Sequence, residues 1–373
     1  MAALRRDWRV IFLCGPARPK FFREYPLLEP LPANLGFPGI YQVTLVSYCE
    51  VQELPQIVER HNISDIVSTD IREDDFGHTL LALGSSGVSL HGLQWYADYL
   101  AMSPSVLSGF TNLFVYTTQM LDIYRQAYPA CPAAIINKFQ AVGNPVLDCL
   151  ARLREQRLEL RAKYRVPVDK PVILLLTQNV PFCEANNRWT WIAKDWRRRQ
   201  SSWREKLFDV QYHDIIRAIR RWCTANNALL VVKSRAKHAE PTCVLRAADL
   251  FITDTNQWYP TQSLELLALS NLTIGMWSTS VIEAAAMGVH NITVELPMRF
   301  DSAIPSMKFF VDALFSFPGV TTRCRARELP ELLARHKLGD FTVAQDSRQT
   351  YLQRFAGPVD GLSAERILDL VRQ

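Results

Sequence analysis

The sequence lacks the features that mark membrane-spanning, repeat and disulfide-stabilised proteins. Its 373 residues contain no apolar run long enough to cross a bilayer, no internal repeat and no low-complexity tract. The eight cysteines are scattered, and even the closest pair, Cys131 and Cys149, lacks the short spacing of a zinc site or a disulfide framework. The apolar run 9–14 is too short for a signal-peptide core, so we predict a buried strand of a cytoplasmic protein.

The composition is that of a globular protein with two domains. Hydrophobic residues make up 48% of the chain, and 373 residues suffice for two separate cores. The net charge is +5, and the window 188–206 carries all of it, with seven basic and two acidic residues. Because the remaining surface is neutral overall, the charge distribution argues against a nucleic-acid-binding protein.

Apolar, β-branched runs alternate with helical patterns along the whole chain, which predicts parallel α/β architecture. Strands are expected near 9–14, 41–47, 64–69, 88–91, 112–117, 139–143, 171–177, 228–233, 249–253, 272–276, 291–295 and 319–323. Helices are expected near 51–61, 76–84, 118–127, 146–164, 211–225, 262–269, 279–287, 327–336, 346–354 and 362–371.

A proline-containing linker, 166–171, divides this pattern into two domains. Its two prolines break the charged helix 146–164 and stiffen the connection. We therefore predict Rossmann-like domains over 1–165 and 170–345 that face each other across a cleft, followed by C-terminal helices over 346–373 that pack back toward the first domain.

The segment 278–290 carries the clearest functional signal. It lies between two apolar strands and predicts a short helix that opens on Ser278, Thr279 and Ser280 and ends at Gly288. A helix that begins directly after a parallel strand is a natural phosphate site, and Glu283, one turn after Thr279, could accept hydrogen bonds from ribose hydroxyls. The alternative is that these residues only cap the helix.

The order of motifs resembles that of GT-B glycosyltransferases over nearly the whole chain. Residues 141–148, with Gly-Asn-Pro at 143–145, resemble the turn before the linker helix of that superfamily, and 171–177 resemble the first strand of its donor domain. The block 264–271 with the helix after it is similar to the donor site. The ending 360–367 resembles cell-envelope transferases, especially those that transfer polyol phosphate from CDP-glycerol.

Two further segments resemble the CDP-glycerol enzymes. His91-Gly92 is similar to their His-Gly pair, whose histidine is thought to act as base, and 231–238 corresponds to their basic segment that contacts the donor phosphates. The chain departs from the pattern because no lysine follows shortly after His91-Gly92 and no proline follows His238. A nucleotide sugar therefore stands beside CDP-glycerol as the expected donor.

Transfer from a nucleoside diphosphate donor requires a base, positive charge on the leaving group and a nucleotide holder. His91 is the expected base, with Asp70 as second choice, and a structural histidine and a helix cap are the respective alternatives. Donor binding is assigned to Thr177, Lys233, Arg235, His238, Ser278, Thr279, Ser280 and Glu283. The resemblance implies no bound metal, and we expect no cofactor.

The basic window 188–206 also holds four of the nine tryptophans. Its candidate contact residues are Trp189, Trp191, Trp196, Arg197, Arg198, Arg199 and Trp203. This composition is typical of an interfacial helix on an anionic membrane, and it would suit an enzyme with a lipid-linked acceptor at the inner face of the membrane. A lid that closes over the acceptor and an ordinary packed helix are the alternatives.

The expected function is sugar transfer from a nucleotide donor to a surface polysaccharide, such as a capsule, or to another envelope glycan, with inversion at the anomeric carbon. A CDP-glycerol-type polyol phosphotransferase is the second reading. A sugar-nucleotide 2-epimerase is the third, for which the candidate carboxylates are Asp70, Asp74 and Asp75. A non-catalytic binding protein remains the fourth.

Overall fold

The structure is a computed structural model that describes residues 10–14, 43–47, 51–69, 75–94, 102–177, 203–234, 240, 242–253, 262–276, 278–295 and 312–371. The chain divides into two compact units. The first unit comprises residues 1–148, 304–307 and 354–373, and the second comprises 149–303 and 308–353. No helix among the described residues is long and apolar enough to cross a membrane.

The first unit contains only parallel strand pairings among its described residues. Strands β1 (Val10–Cys14) and β2 (Val43–Ser47) form one pair. The other sheet has the order β3-β4-β5-β6 and comprises β3 (Asp65–Ser68), β4 (Ser89–Leu93), β5 (Asn112–Val115) and β6 (Phe139–Ala141). Its helices are α1 (Leu54–His61), α2 (Asp75–Ser85), α3 (Pro104–Ser108), α4 (Thr118–Ala127) and α5 (Ala133–Ile136).

The second unit has a six-stranded parallel sheet of order β12-β11-β10-β7-β8-β9. Its strands are β7 (Val172–Leu176), β8 (Leu229–Lys233), β9 (Leu250–Ile252), β10 (Leu272–Gly275), β11 (His290–Glu295) and β12 (Thr321–Arg325). Its helices are α6 (Leu150–Glu155), α7 (Arg157–Lys163), α8 (Trp203–Ala225), α9 (Thr242–Ala247), α10 (Gln262–Leu269), α11 (Ser280–Met287), α12 (Leu329–Arg335) and α13 (Gln345–Phe355), the last of which ends in the first unit. Every residue of β7 is buried, as expected of a central parallel strand covered on both faces.

The C-terminal helix α14 (Ser363–Val371) belongs to the first unit. The carboxylate of Asp148 caps it by accepting from the backbone N–H groups of Ser363 and Ala364, at 3.1 and 2.8 Å. The Gly-Asn-Pro turn lies against the same segment, where the Asn144 N–H donates to the Ala356 carbonyl at 2.9 Å. This motif therefore anchors the returning tail, which confirms the expected packing for α14.

The helix pair α6–α7, which the sequence assigned to the first domain, packs within the second unit instead. The hydroxyl of Tyr164 donates to Glu265 Oε2 at 2.5 Å, and Lys163 Nζ reaches the same oxygen at 2.7 Å. Burial and the neighbouring carboxylate raise the pKa of the Tyr164 phenol. The division of the chain consequently falls after Asp148 rather than at the proline-containing linker.

Most of the predicted strands and helices correspond closely to the observed ones, but α8 begins at Trp203, eight residues before the predicted start near 211. The 146–164 helix is broken, with a 3-10 turn over Pro145–Cys149 and an interruption at Gln156 between α6 and α7. Helices α3, α5 and α9 were not predicted, since each has only four to six residues. The first of the two predicted tail helices, α13, packs largely in the second unit, unlike α14.

Candidate functional site

The strand order of the second unit places a topological switch point between β7 and β10. In chain order the strands run outward from β7 to β9 on one side and from β10 to β12 on the other. Open parallel sheets of this order bind ligands at the carboxyl ends of the two strands that flank the switch point. Thr177 follows β7, and 276–279 connect β10 to α11, so the chemistry of these residues defines the candidate site.

Helix α11 begins at this switch point with three hydroxyl residues. Ser278, Thr279 and Ser280 are all partly exposed, and the backbone N–H of Ser280 donates to Ser278 Oγ at 3.3 Å. The N–H groups of Val281 and Ile282 donate to carbonyls three residues back, at 3.2 and 3.0 Å. The first turn is therefore tightened, and anion binding here would draw on the hydroxyls and the positive helix end more than on bare N–H groups.

Glu283 lies one turn along α11 and is partly buried. Its spacing from Thr279 places the two residues on the same side of the helix. The following residues Ala284, Ala285 and Ala286 are buried, so the helix packs with its alanines and presents its hydroxyl end near the sheet edge. The Glu283 carboxylate therefore lies one helical turn from the hydroxyl residues 278–280, which form the candidate phosphate-binding turn.

The C-terminal end of α11 is capped by two arginines from other helices, Arg348 of α13 and Arg154 of α6, which the sequence analysis did not identify. Arg348 donates from Nε to the Ala285 carbonyl at 2.8 Å and from Nη2 to the Ala286 carbonyl at 2.6 Å. Arg154 Nη2 donates to the Ala286 carbonyl as well. Burial, followed by the proximity of Arg154, lowers the pKa of Arg348. These cations balance the negative end of the helix, and Gly288, at φ 75°, ends it in the left-handed conformation that the sequence indicated.

The carboxyl ends of β7 and β8 hold a second polar cluster, which includes two of the predicted donor residues. Lys233 is 4% exposed, and its Nζ donates to the Ser234 carbonyl at 2.7 Å. The hydroxyl of Thr177 donates to Glu240 Oε1 at 2.5 Å. Both groups therefore have protein partners at this sheet edge, and their assignment to donor binding stays a prediction.

His91 lies within β4 rather than at its end. The side chain is 1% exposed and stacks on Phe114 with ring centroids 5.9 Å apart. Its Nε2 lies 3.2 Å from Asp65 Oδ1, and the Asn112 amide lies 3.1 Å from Nδ1. Because a carboxylate accepts and the amide nitrogen donates, the Nε2–H tautomer satisfies both contacts.

This environment favours the structural reading of His91 over that of a general base at the open edge of the sheet. Burial lowers the pKa of His91, and the hydrogen bond to Asp65 opposes that effect only in part. The Asn112 amide also reaches the Leu370 carbonyl of α14 at 3.4 Å. The histidine thus belongs to a polar cluster that helps to hold the C-terminal helix.

Several predicted site residues lie outside the described part of the chain. These are Asp70, Arg235 and His238, together with Trp189, Trp191, Trp196, Arg197, Arg198 and Arg199. Trp203 is described only as the first residue of α8. Among the residues that the structure does describe, no group of three or more His, Cys, Asp or Glu side chains could hold a metal ion.

Comparison with known proteins gives structural likeness only. No family model and no curated protein matches the sequence. A structure of the wall teichoic acid polymerase TagF matches with a TM-score of 0.54 at 14% identity, over 90% of this chain and 77% of that one.

Two epimerase structures are similar to a comparable extent. The UDP-GlcNAc 2-epimerase of Neisseria meningitidis bound to UDP-GlcNAc has a TM-score of 0.52 at 12% identity, over 87% of this chain and 80% of that one. A putative UDP-N-acetylglucosamine 2-epimerase of Listeria monocytogenes has a TM-score of 0.51 at 14% identity, over 86% and 77%. At these identities the likeness establishes the fold alone: an α/β chain of the GT-B type with Rossmann-like domains.

Proposed function

We propose that the protein is a glycosyltransferase that moves a sugar from a nucleotide donor to a surface-polysaccharide or other envelope glycan acceptor. The observation that carries the proposal is the position of Ser278, Thr279 and Ser280. They form the start of α11 directly at the switch point of a doubly wound sheet. The similarity in fold to proteins named for a teichoic acid polymer and for UDP-GlcNAc supports an activated, nucleotide-linked substrate.

In the proposed reaction the second unit binds the donor. The hydroxyls at 278–280 bind the diphosphate, and Glu283 accepts hydrogen bonds from the ribose. Arg235 and His238 follow β8 and supply positive charge to the leaving group without a metal ion. The acceptor hydroxyl attacks the anomeric carbon from the face opposite the nucleotide, which inverts that centre. Asp70 becomes the first candidate for the base, because His91 is sealed in the sheet of its unit.

A CDP-glycerol-type polyol phosphotransferase is the second candidate, favoured by the likeness to TagF. The two reactions differ in the bond that breaks. Glycosyl transfer cleaves the anomeric C–O bond and releases a nucleoside diphosphate from a UDP-sugar. Polyol phosphate transfer cleaves the P–O–P link and releases CMP. A 2-epimerase, the third candidate, would need carboxylates at the sugar, and two of its three candidates, Asp70 and Asp74, lie outside the described residues.

Thermal shift with nucleotides tests the shared premise. UDP, CDP, UDP-N-acetylglucosamine, CDP-glycerol and CMP are each added to the purified protein. A ligand at about 1,000 times its Kd stabilises the folded state by roughly 4 kcal/mol. Turnover with the stabilising donor, analysed for UDP against CMP, then separates sugar transfer from polyol phosphate transfer. A protein that none of these nucleotides stabilises would rule out the nucleotide site.

Glu283→Ala tests the ribose contact within that site. Loss of a charge-assisted hydrogen bond should weaken nucleotide binding about tenfold to a hundredfold, which corresponds to roughly 1.5–3 kcal/mol. Glu331→Ala on α12 is the control, because its carboxylate is 65% exposed and its ion pair within the described residues is with Arg335. Equal nucleotide affinity in both variants, with a lower melting temperature for Glu283→Ala, would assign Glu283 to capping alone.

The basic, tryptophan-rich window 188–206 is proposed to attach the enzyme to an anionic membrane or to a lipid-linked acceptor. Each Lys or Arg near an anionic surface contributes about 1 kcal/mol, and salt screens the attraction. Replacement of Arg197, Arg198 and Arg199 by Ser should release the protein from acidic liposomes and leave nucleotide binding unchanged. If the same variant instead loses activity on a water-soluble acceptor without a change in sedimentation, the window acts as an acceptor lid.

A further inference from the structure

The strongest unassigned feature is a carboxylate held at the carboxyl edge of the second-unit sheet. Glu240 Oε1 accepts from Thr177 Oγ1 at 2.5 Å and from Ser234 Oγ at 2.7 Å. The two hydroxyl residues are 5% and 2% exposed, whereas Glu240 is partly exposed. Two buried hydroxyl donors, each directly after one of two neighbouring strands, therefore hold one carboxylate oxygen in place.

The hydrogen-bond directions determine what this cluster can recognise. Each hydroxyl has one hydrogen, and for both the nearest acceptor is Oε1 of Glu240; the Thr177 hydroxyl also lies 3.4 Å from the Lys233 carbonyl, well beyond its 2.5 Å to Glu240. Within the described residues, Oε2 makes no hydrogen bond. The cluster consequently offers a fixed negative charge and oxygen lone pairs, which suit a ligand that donates hydrogen bonds. A phosphate, which only accepts and is itself negative, does not match it.

The position of the cluster fits the part of the donor beyond its phosphates. Thr177 follows β7 and Ser234 follows β8, whereas α11 follows β10 on the other side of β7. Strands in a sheet lie about 4.8 Å apart, so β8 and β10 are separated by roughly 10 Å. That separation is comparable with the span of a diphosphate between a ribose and the group to be transferred.

We propose that Glu240, positioned by Thr177 and Ser234, binds hydroxyl groups of the sugar or polyol carried by the nucleotide donor. This inference rests on the proposed function and assigns one of its subsites. Glu240 acts as a specificity-determining residue that touches the substrate. Thr177 and Ser234 act through it as positioning residues.

The test compares each nucleotide donor with its own diphosphate. Kd values are measured by calorimetry for UDP and UDP-N-acetylglucosamine, and for CDP and CDP-glycerol, with wild type, Glu240→Gln and Glu331→Gln as the exposed control. We expect Glu240→Gln to weaken whichever intact donor the wild type binds by about tenfold to a hundredfold. The Kd of the matching diphosphate should stay within about twofold, and Glu331→Gln should change neither Kd.

The positioning role has its own readout. Thr177→Ser keeps the hydroxyl and should preserve the ratio of diphosphate Kd to donor Kd, whereas Thr177→Val should reduce that ratio several-fold. A fall in this ratio without a change in diphosphate affinity separates loss of positioning from general damage to the unit.

Four results would overturn the inference. Equal losses for donor and diphosphate, or no loss, would leave Glu240 as a link between the strand ends. Tighter diphosphate binding by Glu240→Gln would mean that the carboxylate repels a phosphate from this position. A wild type that binds the intact donor no more tightly than the diphosphate would exclude recognition of the sugar or polyol. A wild type that binds no nucleotide would overturn the proposed function together with this subsite.

Discussion

The two units place polar side chains at different positions on their parallel sheets. In the first unit, His91, Asp65 and Asn112 lie on the strands themselves, and the histidine is sealed at 1% exposure. In the second unit, Ser278 and Glu240 lie beyond the strand ends and remain partly exposed. A polar side chain buried on the face of a sheet needs hydrogen-bond partners within the protein. A polar side chain beyond the strand ends can form its hydrogen bonds with a ligand.

The carboxyl ends of β5 and β6 in the first unit are also occupied by the chain itself. The hydroxyl of Thr117, just after β5, donates to the Arg354 carbonyl at 3.1 Å. Gly143, just after β6, faces Ser363 so closely that an added Cβ would lie 2.6 Å from its hydroxyl oxygen. The returning tail therefore covers the carboxyl ends of β5 and β6 in the first unit. In the second unit, the carboxyl end of β10 leads instead into helix α11.

The largest expected effect comes from crowding this filled edge. Gly357 has φ 75°, and an added Cβ would lie 2.3 Å from the Tyr116 carbonyl oxygen. Gly357→Ala should lower the free energy of unfolding by more than about 4 kcal/mol, because backbone must move in addition to the strain of a left-handed alanine. Denaturant titration of the purified variant measures the loss.

Gly288→Ala is the matched comparison in the second unit. Gly288 has φ 75° as well, but within the described residues the atom nearest to an added Cβ is Arg348 Nε, at 4.0 Å. Only the conformational strain applies, and it costs about 1–2 kcal/mol. Similar losses in the two variants would show that the Tyr116 carbonyl does not crowd Gly357.

The next effect concerns His91, where the structural and catalytic readings give different results. His91→Ala removes a buried ring together with its hydrogen bonds to Asp65 and Asn112. The expected loss of stability is about 2–4 kcal/mol, with unchanged nucleotide affinity. Denaturant titration and calorimetry measure the two quantities. Native stability combined with a loss of turnover of about a hundredfold or more would restore His91 as the base.

A smaller effect is expected at the C-terminal end of α11. Arg348→Gln removes charge-assisted bonds to the Ala285 and Ala286 carbonyls and should cost about 1–2 kcal/mol of stability. Arg335→Gln is the control, since Arg335 is 70% exposed and its ion pair with Glu331 should contribute less than about 0.5 kcal/mol. Equal melting temperatures for the two variants would show that capping by Arg348 contributes no measurable stability.

Much of the fold followed from the sequence because parallel strands and their helices have strong periodic patterns. The fully apolar β7 and the hydroxyl start and glycine end of α11 are local signals. The packing of α6–α7 in the second unit depends on Glu265, about a hundred residues away, and no local pattern indicates that contact.

The candidate site was likewise predictable only where its signal is local in the sequence. Helix α11 was found because its signal lies within one strand–turn–helix segment. His91 was predicted at the end of a strand over 88–91, whereas β4 continues two residues past it to Leu93. Its partners Asp65 and Asn112 come from two other strands. Glu240 was missed because its partners, Thr177 and Ser234, meet it only in the folded sheet.

The smallest expected effect is a loss of stability in mild acid that both units share. Burial lowers the pKa of His91 and of His290, and His290 has Nδ1 at 3.1 Å from the Thr342 carbonyl and Nε2 at 2.9 Å from Thr322 Oγ1. Below the unfolded pKa of about 6.5 the unfolded chain binds protons that the native protein does not, so stability falls as the pH falls.

Between pH 6.5 and 6.0 the two histidines together should cost at most about 1 kcal/mol. Denaturant titrations at both pH values measure this difference, and His91→Gln should abolish the part contributed by the first unit. The remainder belongs to His290 in the second unit, so the variant divides the acid sensitivity between the two sheets. An unchanged free energy of unfolding over this interval would mean that both imidazoles take up protons in the native state, and the closed environment described for His91 would then be wrong.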